Sequence, residues 1–523
     1  MDPEQVLLVH QLCHNTPFPH ETHTIECIET HISWVILTGP YAYKIKKAVN
    51  FGFLDFSTLA KRRFFCEEEL RLNRRLAPHW YLEIVAISGT PKKPYWGESA
   101  EVVEYAVKMR QFSSNAPLDR QLVLHMLNFK VFDDLALKIA AFHHHTEIAP
   151  ATSNYGTPAQ LMQTVRENFD QLRAQPSCLP DPHLLTTLTA WAENQYQHLH
   201  PDFSARKQQG FIRECHGDMH LRNIAMEGHE LIIFDGIEFN AALRWIDVMS
   251  EIAFTVMDLQ ARRQDAFAHY LLSAYLESSG DYQGLRVFNF YCAYRAMVRA
   301  KVACLQSATT TEFATISHLR QEVADYLLLA RRYSHLMPTA LILMHGFSGS
   351  GKSSLSQKLL ELLPALRVRS DVERKRLFKS AVVDQTQAAA RLYQPKISAA
   401  VYEHLSHCAR NIIQSGYHAI VDAAFLKAHQ RRHFFNLAEE LQIPILIISC
   451  SADLPVTKMR LSQRQQQNHH VSDADLHVLE QQINNHDALS PQELQHCLVV
   501  DTSQTVDNAA LVQTINTLLK TQS

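Results

Sequence analysis

The chain has 523 residues, 50 Lys plus Arg against 53 Asp plus Glu and a pI near 6.9, a length beyond one compact core that predicts two or more domains. An apolar fraction of 46% with only 15 Gly and 20 Pro excludes collagen-like and broadly disordered chains and predicts a helix-rich globular protein. A formal charge of −3 provides no bulk field for a phosphate backbone or an anionic lipid surface, so nucleic acid is disfavoured as a partner and a membrane is not expected.

The start, Met1 to Gln5, is acidic where a signal peptide is basic, and the apolar runs Ala340 to Met344 and Ile443 to Ile448 are too short to cross a bilayer. A cytosolic protein is expected. The ten cysteines, from Cys13 to Cys497, contain no C-x-x-C pair, which suits reduced thiols better than a disulfide or zinc framework. His143 with Glu147, and His469 with Asp473, stand one helical turn apart, but two ligands fall short of a protein zinc site.

In chain order, Ile32 to Leu37 and Ala42 to Ile45 flank Thr38-Gly39-Pro40 and read as a hairpin. Glu67 to Leu76 follows a helical rhythm and Val102 to Met109 reads as a strand, giving a small α+β lobe over about the first 110 residues. Helical spacing then appears at Val131 to Glu147, Pro158 to Ala174, Leu184 to His198 and Leu243 to Leu271, interrupted by a strand-rich piece from Ile212 to Phe234. A helix through Ala324 to Tyr333 ends near Pro338, where Ala340 begins a buried strand and an αβ alternation. The domain boundary is placed near residue 336.

Within the strand-rich piece, His216-Gly217-Asp218 to Asn223 spells H-x-D-x-x-x-x-N, and Asp235 ends the apolar strand Leu231 to Phe234. Phosphoryl transfer needs a carboxylate to orient or deprotonate the acceptor, here Asp218, and oxygen ligands to hold Mg²⁺ on a nucleotide, here Asn223 and Asp235. Asp and Asn also punctuate plain hairpins, but a hairpin requires neither His216 nor Asp235. Such a site also needs a strand lysine held by a helix glutamate. Lys44 and Glu68 fill these roles, with Lys46, Glu67 and Glu69 as rival choices. Only Gly39 precedes Lys44, without the G-x-G-x-x-G of protein kinases.

Farther on, Gly346-Phe347-Ser348-Gly349-Ser350-Gly351-Lys352-Ser353, followed by Ser354, fits G-x-x-x-x-G-K-[ST] between a predicted strand and a helix from Ser353 to Leu363. The glycines let backbone N–H groups close on phosphates, Lys352 neutralises their charge, Ser353 offers a ligand to Mg²⁺, and the helix N-terminus adds a positive end. Ser370-Asp371 follows a second strand. Asp371 is the candidate base and Arg374, one turn on, the candidate holder of an anionic group, although Ser370 with Glu373 also reads as a capping box. Ala419 to Asp422 is a strand ending in a carboxylate, as in a Walker B strand, with Arg431 and Arg432 in reach of a substrate. Arg460 and Arg464 share one helix face, as a lid would need to present two cations to phosphates.

Residues 338 to 520 resemble the P-loop group of small-molecule and polynucleotide kinases, which includes gluconate kinases, zeta toxins and the kinase part of polynucleotide kinase-phosphatases. The resemblance implies ATP-dependent phosphorylation of a hydroxyl with Asp371 as base. Residues 20 to 330, through Lys44, Glu68, the Asp218 loop and Asp235, resemble the aminoglycoside phosphotransferase/choline kinase branch of the protein-kinase-like fold. Together with Phe53 to Ser57, the combination resembles bacterial fusions of such a domain with a P-loop kinase of AAA type.

The expected architecture is therefore an N-terminal protein-kinase-like α+β bilobal domain over residues 1–335, with lobes meeting near residue 110, and a C-terminal α/β P-loop NTPase domain with a parallel sheet over 336–523. The expected cofactors are ATP and Mg²⁺ at two sites, and the expected partner is a small-molecule hydroxyl acceptor. A toxin-like or polynucleotide 5′-hydroxyl kinase is the alternative for the C-terminal domain. A nucleotide-gated scaffold with a degenerate N-terminal kinase is the alternative outside enzymes.

Overall fold

The computed structural model describes residues 2–22, 24–52, 54–99, 101–378, 394–466 and 476–522. Two compact units are present, one of residues 1–128, 141–167 and 203–258, the other of residues 129–140, 168–202 and 259–523.

The first unit is built on an antiparallel sheet of β1 (Glu26–Glu29), β2 (Ser33–Leu37), β3 (Tyr41–Lys46), β4 (Tyr81–Thr90), β5 (Lys93–Trp96) and β6 (Val102–Arg110), in the order β1-β2-β3-β6-β4-β5. The predicted hairpin is β2-β3, paired with Val35 opposite Lys44. Period-two alternation sends Trp34, Ile36, Tyr43 and Ile45 into a core closed by Leu8, Val9 and Leu12 of the helix Pro3–His14. That helix, β4 and β5 carry too weak a periodicity to stand out in the sequence.

The helix Leu59–Asn73 begins well before the predicted Glu67, because Thr58 Oγ1 accepts the Lys61 N–H at 3.3 Å and caps it. Its Cys66 packs with Tyr81, Val107 and Ala225. Two short ladders follow, β7 (Ile212–Glu214) with β10 (Trp245–Asp247), and β8 (Ile224–Glu227) with β9 (Glu230–Ile233). The long helix expected over Leu243 to Leu271 is broken into β10 and the helices Val248–Ala261 and Asp265–Ser279, with Arg263 at φ 59° in the break.

In the second unit, β11 (Leu341–His345), β12 (Ala365–Arg369), β13 (His418–Asp422), β14 (Ile445–Ser451) and β15 (Cys497–Asp501) form a parallel sheet in the order β12-β13-β11-β14-β15. Leu341 to Met344 are fully buried, as expected of a central parallel strand covered on both faces. Strand order reverses beside β11, so the sheet splays at its carboxyl edge where β11 hands over to the helix Lys352–Leu362.

The helices Asp265–Ser279, Leu285–Thr309 and Phe313–Tyr333 belong to this unit. The first covers the β12 edge, where Arg367 N donates to Ser273 Oγ at 3.0 Å and Tyr282 OH donates to Arg367 O at 2.9 Å. The chain thus combines an antiparallel α+β part with a parallel α/β part, as expected. Among the described residues, no helix is long and apolar enough to cross a membrane.

Candidate functional site

In the first unit, Lys44 on β3 reaches Glu69 Oε1 at 2.8 Å and Asp235 Oδ1 at 2.5 Å. Lys44 therefore pairs with Glu69, which corrects the assignment to Glu68. Glu68 faces the other way and pairs with Arg71 at 2.9 Å, because one residue on a helix turns the side chain by about 100°. The second oxygen of Glu69 takes Lys46 at 2.7 Å, and Lys46 also meets Glu238. Burial works against both ammonium charges, yet the carboxylates around them raise both lysine pKa values above the ordinary range.

The H-x-D loop lies between β7 and β8. Asn223 Nδ2 donates to Asp218 Oδ2 at 3.1 Å and to Asp218 O at 3.0 Å, so the candidate base and the first candidate metal ligand are joined. His216 ties this pair to Asp235: its Nε2 is 2.8 Å from Phe234 O, and its Nδ1 is 3.3 Å from the Asp218 amide. With Nε2 donating and Nδ1 accepting the ring is neutral, in keeping with a pKa lowered by burial. Asp235 has φ 62° and its N–H donates to Tyr81 OH at 3.1 Å, which turns the carboxylate toward Lys44.

Glu251 anchors the loop from below, accepting His216 N at 2.9 Å and Gly217 N at 2.7 Å, with His143 Nε2 at 3.3 Å. His143 thus packs against Glu251. His143, Cys215 and Glu251 place one ligand-type atom each within 4.8 Å of one another. His469 and Asp473 lie outside the described residues.

In the second unit, the predicted phosphate loop has Gly346 at φ 137°, Gly349 at 83° and Gly351 at 85°. A Cβ on Gly349 would lie 2.9 Å from Thr457 Cγ2, and one on Gly351 2.9 Å from Thr502 Oγ1, so both positions need glycine for space as well as for backbone angle. Lys352 Nζ donates to Gly346 O at 2.8 Å and Phe347 O at 2.7 Å, folded over the cradle. Among the described residues, the buried Ser350 Oγ has no hydrogen-bond partner. A glycine-lined loop with an ammonium across its mouth fits a polyphosphate, and Ser353 with Asp422 fits the cation that accompanies one.

A cavity of about 470 Å³ opens beside this loop and brings Lys352, Ser353, Asp371, Arg374, Arg369 and Asp422 to one wall system. Arg374 is buried. The capping box does not form: Arg369 occupies the N-cap position without a side-chain cap bond, and Glu373 is fully buried against His404 at 2.9 Å. Asp422 ends β13 opposite Met344 and accepts Ser356 Oγ at 3.1 Å.

Arg431 is not within reach of a substrate. It is fully buried and binds Glu493 at 2.7 Å with the carbonyls of Phe425, Asp487 and Ala488, because a guanidinium satisfies several acceptors at once. Arg432 next to it is exposed.

Arg460 reaches the phosphate loop from the helix Leu454–Gln466, with NH1 3.4 Å from Gly349 O and NH2 2.6 Å from Thr502 O. The side chain of Arg464 lies outside the described residues. A second cavity, about 530 Å³, is bounded by Ser354, Arg460, Thr502 and Asn508. Sequence reasoning missed Thr502 and Gln482. Thr502 Oγ1 donates to Ser350 O at 2.8 Å, and Gln482 accepts Ser348 N at 2.8 Å through Oε1 and donates to Ser348 Oγ at 3.0 Å. Both arrive from strand and helix ends that no local motif marks.

These two arrangements join an antiparallel α+β part, in which Lys44, Glu69 and Asp235 meet beside the H-x-D loop, to a parallel α/β part that carries a phosphate loop. Residues 341–489 match the family model described as an AAA domain. An uncharacterized protein of Mycobacterium tuberculosis (strain ATCC 25618 / H37Rv) is similar along most of its length, 28% identical over 442 residues that cover 84% of this chain and 86% of that protein. Among solved structures, the Plasmodium vivax ethanolamine kinase is 12% identical over 64% of this chain and 89% of its own, with a TM-score of 0.37. A sugar kinase from Janibacter sp. HTCC2649 is 18% identical over 35% of this chain and 95% of its own, with a TM-score of 0.26. At these scores neither likeness bears on function, and the fold is the one the strands and helices themselves define.

Proposed function

We propose that the chain is an ATP-dependent phosphotransferase with two Mg²⁺-ATP sites, each transferring the γ-phosphoryl group to a hydroxyl of a dissolved small molecule in the cytosol. The observation that carries the reading is the cavity in which Lys352, on the phosphate loop, faces Asp371 and Arg374. One side suits a polyphosphate and the other a hydroxyl compound with an anionic group. The base-side cavity at Arg460 and Thr502 suits the nucleoside.

At each site the chemistry is the same. A carboxylate, Asp371 or Asp218, accepts the hydroxyl proton as the acceptor oxygen bonds to the γ-phosphorus and the bond to the ADP oxygen breaks. Lys352 and Lys44 hold the phosphates, and Ser353, or Asn223 with Asp235, would hold the metal. When bound, Mg²⁺ neutralises charge on the phosphate oxygens. The kinase-like chemistry falls before residue 336 and the P-loop chemistry after it.

The test is ATP turnover against sugars, amino-alcohols, nucleosides and 5′-hydroxyl oligonucleotides with wild type, Asp218→Asn and Lys352→Ala in parallel. An acceptor whose stimulation disappears in one variant assigns that chemistry to one site. Stimulation by oligonucleotides that falls steeply with salt would favour an end-healing kinase. ATP binding without any turnover would defeat the enzyme reading in favour of a nucleotide-gated scaffold.

A further inference from the structure

Glu277, near the end of the helix Asp265–Ser279, divides its carboxylate between two arginines of β12. Oε2 accepts Arg367 NH2 at 3.0 Å and Oε1 accepts Arg369 NH1 at 2.8 Å. Each arginine leads on to the same oxygen of Asp422. Arg369 Nε stands 3.9 Å from Asp422 Oδ2. Arg367 NH1 donates to Ser356 Oγ at 3.0 Å, and Ser356 Oγ donates to that Oδ2 at 3.1 Å. One carboxylate from the chain before residue 336 thus governs two cationic arms that converge on the strand-end carboxylate beside the phosphate loop. The side chains of Arg367, Arg369 and Asp422 are 6%, 17% and 4% exposed, so charge–charge terms here are screened far less than at the surface.

We propose that Glu277 is a positioning residue for Asp422: it draws Arg369 back, so that Asp422 keeps its charge for the cation that accompanies a nucleotide. The proposal rests on the reading of the phosphate loop as a Mg²⁺-ATP site. Removing the charge of Glu277 leaves Arg369 beside Asp422 with its main counter-charge gone. The guanidinium then closes the 3.9 Å gap and pairs with Asp422. A cation seated on Asp422 both neutralises it and repels Mg²⁺.

The test uses the full chain carrying Lys44→Met, which weakens nucleotide binding at the other site, and reads equilibrium binding of a fluorescent ATP analogue in excess Mg²⁺ and in EDTA. Glu277→Gln is expected to lose about tenfold of the Mg²⁺-dependent gain in affinity while its affinity in EDTA stays within about twofold of wild type. Adding Arg369→Met is expected to restore the gain, because the competing cation is gone. A wild-type gain in Glu277→Gln, or a double variant that is not rescued, overturns the proposal. Should Glu277→Gln fail to fold, Glu277→Asp decides, because its shorter side chain holds Arg369 back less: a reduced Mg²⁺ gain that Arg369→Met restores supports the proposal, and a wild-type gain overturns it. A chain with Lys352→Ala that binds as tightly as wild type would overturn the underlying reading as well, and so separates the two failures.

Discussion

Lys46 has no exposed surface, and its ammonium sits between Glu69 and Glu238. Lys44 and Lys46 are two apart on one strand and so share a face, which is why the sequence left both open as the functional lysine. Only the third dimension separates them: Lys44 also touches Asp235. Lys46→Met is expected to destabilise the fold by about 3 kcal/mol, measured by urea unfolding, since it leaves the buried Glu238 without its cation and Glu69 with Lys44 alone. Glu69→Gln is expected to weaken nucleotide binding at this site by about tenfold, while Glu68→Gln stays within about twofold, in titrations on a Lys352→Ala background.

Glu251 adds a pH dependence at the same scale. Burial alone would raise its pKa, but the His143 imidazole and the N–H donors of the H-x-D loop hold it down to about 2, below the ordinary 4.5. A depressed carboxyl contributes stability that is present above 4.5 and lost as pH falls toward 2. The difference in Tm between wild type and Glu251→Gln is therefore expected to be largest near neutral pH and to shrink through that window. A difference that stays constant would remove Glu251 from the acid-sensitive groups.

At the scale of elements, the phosphate loop was legible because its physics is local: glycines for the turn, a lysine for the charge, a helix start for the dipole. Gly351→Ala places a methyl group against Thr502 at a left-handed φ of 85°, so it is expected to cost about 1–3 kcal/mol of stability and most nucleotide affinity, measured by thermal melting and by titration. The helix Ala428–Leu441 shows the opposite case. Its Arg431 and Arg432 look equivalent in sequence, and their helix positions send the first into the interior against Glu493 and leave the second exposed. Arg431→Met is expected to lower stability by about 3 kcal/mol without a specific effect on acceptor KM, because it removes a fully buried guanidinium from a half-buried acid and three carbonyls.

For the whole molecule, packing groups the helices Asp265–Ser279 and Leu285–Thr309 with the parallel sheet, although a change of sequence character falls near residue 336. Ser273 and Tyr282 satisfy the backbone of the edge strand β12, and Asn289 Nδ2 donates to Ser415 O at 3.0 Å beyond it. A fragment of residues 336–523 would expose that edge. It is expected to melt at a lower temperature and aggregate more readily than a fragment of residues 259–523, measured by thermal scanning with light scattering. Equal behaviour of the two fragments would show that the helices add nothing to the sheet.

The sequence by itself determined the hairpin carrying Lys44, the spacing of His216, Asp218 and Asn223, the phosphate loop and the strands that end in Arg369 and Asp422. Each of these is written within a few residues, where hydrophobic period and backbone preference act. What only the tertiary structure decided is who meets whom: Glu69 rather than Glu68 on Lys44, Glu251 beneath the H-x-D loop, Gln482 and Thr502 on the phosphate loop, and Glu277 on Arg367 and Arg369. These partners are far apart in the chain, and a helix face or strand end selects them only after packing has fixed its rotation and depth.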